Sequence, residues 1–215
     1  MKALLRKEFT LSLFPLPYCF WLLAGLLLIP NYPYFVTFFY AALGVMFLFQ
    51  YNRENRDLNY MMTLPITKGQ MVKARVVQAA AIELGMLVAC LPFMAVRGLY
   101  SFLNNQVGFE ANLALLGLGA AQLGLFNLIF LPGFYRDGRS IGLPFLFGSL
   151  AQAVYMLAME ILLRIVPYFA RWCDRMDLAA QLHQLPVLAV GLAVYALLTL
   201  GALRISIRRF ARIDL

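Results

Sequence analysis

The sequence predicts an all-α integral membrane protein of six transmembrane helices with both termini in the cytoplasm, and three observations carry that prediction. Hydrophobic residues make up 63% of the 215 positions and charged residues 13%, where soluble domains carry about 25% charged. The apolar residues are gathered into runs of the length needed to cross a hydrocarbon core, at about residues 11–30, 33–50, 76–96, 112–134, 141–166 and 186–205. Lysine and arginine are distributed unevenly between these runs. Of 18, all but Arg97, Arg164, Arg171 and Arg175 fall in segments on the side of the N-terminus, which places that side inside. The net charge of +8 is therefore a topology signal rather than a nucleic-acid face. Residues 1–215 read as a single transmembrane domain.

Lys2, Arg6 and Lys7 precede the first run, and Pro30-Asn31-Tyr32-Pro33 follows it where a secretory signal would show a small-residue cleavage site. A retained span is expected. Pro15 and Pro17 should distort its first turns. Only Asn31 and Tyr32 separate Pro30 from Pro33, so the second span must return at once as an antiparallel neighbour. This arm is aromatic, with Phe35, Phe38, Phe39 and Phe49 among others; a packing or lipid-facing surface and a substrate-stacking surface both fit that composition.

The longest polar interruption, Arg53 to Gln78, is built in two pieces around Leu64-Pro65. Before the break, Leu58, Met61 and Met62 fall at helical spacing among Arg53, Glu54, Arg56 and Asp57, the pattern of a short amphipathic helix at a membrane surface. Proline disfavours helical geometry at the residue before it, so this helix should stop near Leu64. Thr67-Lys68-Gly69-Gln70 then fits a capping box. In it the threonine oxygen takes a free backbone N–H and Gln70 reaches back to the cap, so that a helix can run on into the third span.

The string Asp57-Leu58-Asn59-Tyr60-Met61-Met62-Thr63-Leu64-Pro65-Ile66-Thr67-Lys68, followed by Met71-Val72-Lys73-Ala74-Arg75, resembles the first large cytoplasmic loop of small ABC-transporter permeases of the type-2 exporter class. That family shows an acidic residue, a Leu-Pro-(Ile/Val)-(Ser/Thr)-(Arg/Lys) turn and a Val-Lys-x-(Arg/Lys) start to the third span. The resemblance implies that Asp57, Leu58, Met61, Met62, Leu64, Pro65, Thr67 and Lys68 form a coupling helix and corner docked on a separate ATPase subunit. ATP and magnesium would be bound by that partner, with no cofactor in this chain. A second permease subunit, identical or paralogous, and a place in a cell membrane, the bacterial cytoplasmic membrane, are implied as well. An interfacial helix with no partner is the alternative reading of the same residues. Leu131-Pro132-Gly133-Phe134-Tyr135-Arg136-Asp137-Gly138-Arg139 is similar to the family's turn between spans four and five, with fewer residues between the glycine and the basic position.

Glu83 stands inside the third span, where an ionised carboxylate is costly. Counting helical rise brings Asn127 of the fourth span and Gln152 of the fifth toward the same depth, so the three could form an intramembrane polar cluster. A lone glutamate, protonated or snorkelling, is the other reading. Gly117, Ala120, Ala121 and Gly124 supply small-residue spacing for close helix packing, within one subunit or across a dimer. Glu160 and Arg164, one turn apart near the outer end of span five, are spaced for an ion pair. From Pro167 to Leu185, Phe169, Trp172, Cys173, Met176, Ala180 and His183 share a helical stripe, which predicts an outer amphipathic helix before Pro186 opens the sixth span.

What is absent narrows the function. There is no G-x-x-x-x-G-K-[ST] loop, so ATP dependence requires another polypeptide. A single histidine, His183, and three scattered cysteines leave no metal site and no disulfide framework. Without a G-x-S-x-G element no catalytic residue is expected. The expected function is the permease subunit of an ATP-driven exporter for a hydrophobic or amphipathic cargo, peptides included. A non-transporting membrane partner of a sensor or morphogenetic complex, and an intramembrane enzyme, are the rivals.

Overall fold

The computed structural model describes residues 4, 16–99, 105, 108–138, 140–175 and 178–212, and every regular element among them is helical. Lys2, Arg6, Lys7 and Pro15 lie outside the described residues. α1, Leu16–Cys19, continues as a 3₁₀ helix over Phe20–Leu28. The chain then reverses through Asn31, whose φ of 58° is a conformation that asparagine tolerates better than most residues. The hairpin is pinned where the Tyr34 hydroxyl donates to the Ile29 carbonyl at 2.9 Å.

α2 spans Phe35–Glu54, four residues beyond the expected end. It stops where Arg56 takes a left-handed conformation, φ 51°, so Arg53 and Glu54 belong to α2 and not to the amphipathic helix. That helix, α3, is only Asp57–Met62. It ends two residues before Leu64 because the Thr63 hydroxyl donates to the Tyr60 carbonyl at 2.7 Å, a local bond that competes with another turn. The capping box forms as the sequence predicts: the Thr67 N–H donates to Gln70 Oε1 at 3.0 Å and the Gln70 N–H to Thr67 Oγ1 at 3.2 Å. From it α4 runs unbroken over Lys68–Leu99.

α5, Leu113–Phe134, is capped by Asn112, whose Oδ1 accepts the Leu115 N–H at 2.9 Å. α6 covers Gly142–Ile165 and a short α7 covers Pro167–Cys173. α8 then runs over Leu178–Ala211. The single amphipathic helix expected between Pro167 and Leu185 is therefore divided, and Pro186 lies within α8 rather than at its start. The division is held by side chains. Asn112 Nδ2 donates to the Cys173 carbonyl at 2.6 Å, and Gln184 Nε2 donates to those of Arg175 and Trp172 at 3.0 and 3.3 Å.

Five of these helices, α2, α4, α5, α6 and the Gln181–Ala211 part of α8, are long and apolar enough to cross a membrane. At about 1.5 Å per residue α6 is on the order of 36 Å long, against a hydrocarbon core of about 30 Å. Its Leu143, Leu150, Val154, Leu157 and Ile161 are exposed along one stripe, as lipid-facing or partner-facing residues are and as those of a soluble domain are not.

α5 occupies the centre, against α8, α6, α2 and α4. Its closest neighbour is α8, and glycines make that approach possible. A Cβ on Gly191 would lie 2.0 Å from the Gly117 carbonyl oxygen, and one on Gly124 would lie 2.9 Å from the Tyr195 Cα. The small-residue spacing of span four thus serves packing within the subunit. The aromatic arm of α2 also faces inward. Phe35 meets Phe109 and Tyr155 edge-on, while Phe49 does the same with Phe130 and Phe134.

Gly191→Val should separate α8 from α5 and destabilise the fold by about 1–3 kcal/mol, the usual range for overpacking. Gly98→Ala, where nothing lies within 4 Å of the added Cβ, should be neutral or stabilising. Thermal melts of the two variants in one detergent would decide, and equal melting temperatures would refute the close-packing account.

Candidate functional site

The residues that the sequence assigns to a coupling helix lie together at one end of the bundle. α3 is fastened there by Arg75 of α4, which forms a buried ion pair with Asp57 and reaches the Met61 sulfur at 3.9 Å. Asp57 stands in the first turn of α3, where a negative charge also complements the helix dipole. Leu58 packs beside Gly138 and Phe210. Gly138 has a φ of 69°, which a side chain would strain. Three segments therefore meet at this end: α3, the turn after α5 and the last turns of α8. Arg209 adds a tie when its Nη1 donates to the Pro132 carbonyl at 2.7 Å.

These contacts divide the eight residues expected to form the coupling helix and its corner. Asp57 and Met61 face inward, with Met61 only 1% exposed, and Leu58, Leu64 and Lys68 are half-buried. Met62, Pro65 and Thr67 are exposed. Tyr60 joins them at 56% exposure against 38% for Met62, though the sequence pattern did not single it out. The outward apolar surface of α3 is thus Tyr60 and Met62; Met61 belongs to the protein's own core.

The second group lies midway along the helices. Glu83 of α4 is fully buried, and its Oε2 accepts from Asn127 Nδ2 at 2.7 Å and from the Tyr195 hydroxyl at 2.8 Å. The Asn127 amide also donates to Thr199 Oγ1 at 3.1 Å. Trp21 lies beside this group, its indole N–H donating to the Ile82 carbonyl at 2.8 Å and its ring filling the space above Gly85. Glu83 and Asn127 meet as their depths predict. Gln152 does not join them: it is buried on α6, which packs on α5 and α2, and neither end of its amide has a hydrogen-bond partner. Tyr195 and Thr199 were missed, although two hydroxyls four residues apart in an apolar run are a readable signal.

A third polar group closes the opposite end. Arg97 pairs with Glu110 at 3.4 Å and lies 5.2 Å from the centre of the Tyr34 ring. The Asn105 N–H also donates to Glu110, and the Glu110 N–H donates to Asp174 Oδ1 at 2.7 Å. Burial holds the Asp174 carboxyl above the ordinary carboxylate range, against the opposing pull of that N–H. Glu160 feels the charge of Arg164 one turn away, as the spacing predicts. Its carboxylate is turned against Gly108, where an added Cβ would lie 2.5 Å from Oε1.

No cluster of three or more metal-ligating side chains occurs among the described residues. Cys19, Cys90 and Cys173 are free thiols.

Long apolar helices with outward apolar faces, polar groups gathered at both ends and one cluster buried midway define a multi-pass membrane protein. The chain belongs to the ABC-2 transporter family: the family model described as an ABC-2 family transporter protein matches residues 3–210. It is accordingly a permease subunit of an ABC transporter, and membrane subunits of this family work with ATP-binding-cassette ATPases. No curated protein and no solved structure matches the chain.

Removing one partner of a buried ion pair costs about 3–5 kcal/mol, more than removing both. Asp57→Ala should therefore destabilise the α3 end by about that amount, while Asp57→Leu combined with Arg75→Met should cost less. Hydrogen exchange over residues 57–67 is the measurement. Unchanged protection in Asp57→Ala would show that the pair does not hold α3.

Proposed function

We propose that this chain is the membrane subunit of an ATP-driven exporter, with six spans, both termini and α3 in the cytoplasm, and a second permease subunit beside it. Separate ATPase subunits bind ATP and magnesium and hydrolyse the nucleotide; this chain carries no catalytic step. Its cargo is hydrophobic or amphipathic, peptides included, since the spans hold few charges. The observation that carries this reading is the construction of α3. It is clamped inward by Asp57 and Met61, presents Tyr60 and Met62 outward, and is joined through Leu64-Pro65 and the Thr67 capping box to the start of α4. Apolar side chains held on a short helix can seat in a groove of a partner and carry much of the binding energy. Arg53, Arg56 and Lys68 around them act mainly on encounter. Closure of the ATPases would move α3 and α4 together, shifting the spans between inward and outward access.

Tyr60→Asp with Met62→Asp should abolish co-purification of the ATPase while leaving the permease folded, because neither side chain is buried in the bundle. Met61→Ala should instead lower the melting temperature and spare docking. Pro65→Ala should retain the ATPase yet lose transport at a given rate of hydrolysis. Full recovery of the ATPase with the double aspartate variant would overturn the docking role.

Orientation has its own test in a background free of native thiols. Lys68→Cys should resist an impermeant thiol reagent in intact cells and Arg171→Cys should react. The reverse pattern would invert the topology.

A further inference from the structure

The oxygens of Glu83 are unequally served. Oε2 accepts two hydrogen bonds, from Asn127 Nδ2 and the Tyr195 hydroxyl, whereas Oε1 is buried with no partner. The facing amide repeats the pattern. Asn127 Nδ2 spends its hydrogens on Glu83 Oε2 and Thr199 Oγ1, and Oδ1 is buried with no partner. Two acceptors without a donor thus sit on two groups already joined by a bond, and such an unmet group is costly in a buried site.

Nor, among the described residues, does any cation balance a charge on Glu83. α5 and the Phe20–Leu28 helix contain no charged residue, and α8 has none between His183 and Arg204. On α4 itself, Arg75 is about 12 Å away along the helix and Arg97 about 21 Å, and they pair with Asp57 and Glu110. On α2, Arg53 and Glu54 stand at the α3 end. An ionised carboxylate here would be a buried charge with no counter-ion.

We infer that Glu83 is a proton-binding site: in this arrangement it carries a proton on Oε1 and donates it to Asn127 Oδ1, closing a neutral acid–amide ring between α4 and α5. One proton supplies both unmet acceptors and removes the uncompensated charge. The surrounding groups orient the ring. Thr199 engages the second amide hydrogen and so fixes which end of Asn127 faces the acid, while the Tyr195 hydroxyl donates to Oε2 and marks it as the carbonyl oxygen. Tyr195 and Thr199 are positioning residues, and both come from α8. The ring consequently exists only while α4, α5 and α8 are together, and exchange of its proton with water requires α4 to part from the other two. This inference stands independently of the exporter reading and needs no ATPase to test.

Infrared difference spectra of the purified permease in lipid nanodiscs, wild type against Glu83→Gln, provide the test at neutral pH. The expected difference is loss of the C=O stretch of a hydrogen-bonded protonated carboxylic acid. Glu83→Gln, a neutral group of the same shape, should fold and melt close to the wild type. Asn127→Leu removes the amide and should move the acid band to higher frequency. That variant also keeps Glu83, so the test survives should Glu83→Gln fail to fold. A lost band belonging to an ionised carboxylate, or an acid band unmoved by Asn127→Leu, would overturn the inference.

Discussion

The approach of α8 to α5 at Gly117, Gly124 and Gly191 is the contact on which the rest of the interior depends. A side chain at any of these positions would collide with backbone of the facing helix. With none there, Tyr195 and Thr199 of α8 come within hydrogen-bond reach of Glu83 and Asn127. Lipid supplies no hydrophobic force between apolar helices, so close packing and polar contacts must hold them together. Here the first makes the second possible. The glycines permit the approach, and the hydroxyls that it delivers make the buried cluster a junction of three helices rather than a bond between two.

The ends of the bundle obey a related constraint, that backbone groups freed where helices stop must find partners within the protein. At the end away from α3, Asn112 serves twice, capping α5 through Oδ1 and holding the Cys173 carbonyl through Nδ2. Gln184 does likewise, its Oε1 accepting the Ala114 N–H while its Nε2 holds the break between α7 and α8. At the α3 end the fastenings are charged: Arg209 donates to the Pro132 carbonyl, and Arg75 holds α3 through the Asp57 side chain. Both buried arginines of α4 therefore act as end fastenings, one to α3 and one to the loop before α5.

Local features of the sequence were the more legible ones. The Thr67–Gln70 capping box, the limits of α5 and α6 and the meeting of Glu83 with Asn127 follow from capping chemistry, hydropathy and helical rise, which involve neighbours in the chain or depth alone. Rotation about the helix axis is not encoded so directly. Gln152 has a suitable depth but lies on a helix that packs on α5 and α2, and Glu160 feels the basic residue one turn away while its carboxylate is turned against Gly108. The Asp57–Arg75 pair joins residues on either side of a corner whose folding the spacing did not reveal, and it reverses the expected role of Met61. Pro186 illustrates the limit of proline as a stop signal: its missing N–H does not end α8, and the break falls upstream, where Asn112 and Gln184 hold the freed carbonyls.

The place of Glu83 along α4 has a mechanical consequence. The helix runs from Lys68 to Leu99, so Glu83 falls at its midpoint, with an arm of roughly 23 Å on each side. A rod held at its centre, and tied at its ends only to a short helix and a loop that can follow it, behaves as a seesaw. A tilt of about 5° there would carry each end about 2 Å, and in opposite directions. The Thr67 corner and Arg97 would exchange inward and outward displacement without any change in the length or register of the helix. Pro92, which interrupts the backbone bonding of the far arm, makes that arm the more compliant. A push delivered beside α3 would thus emerge at the opposite membrane face with its sense inverted, which is the geometry of a gate that opens on one side as it shuts on the other.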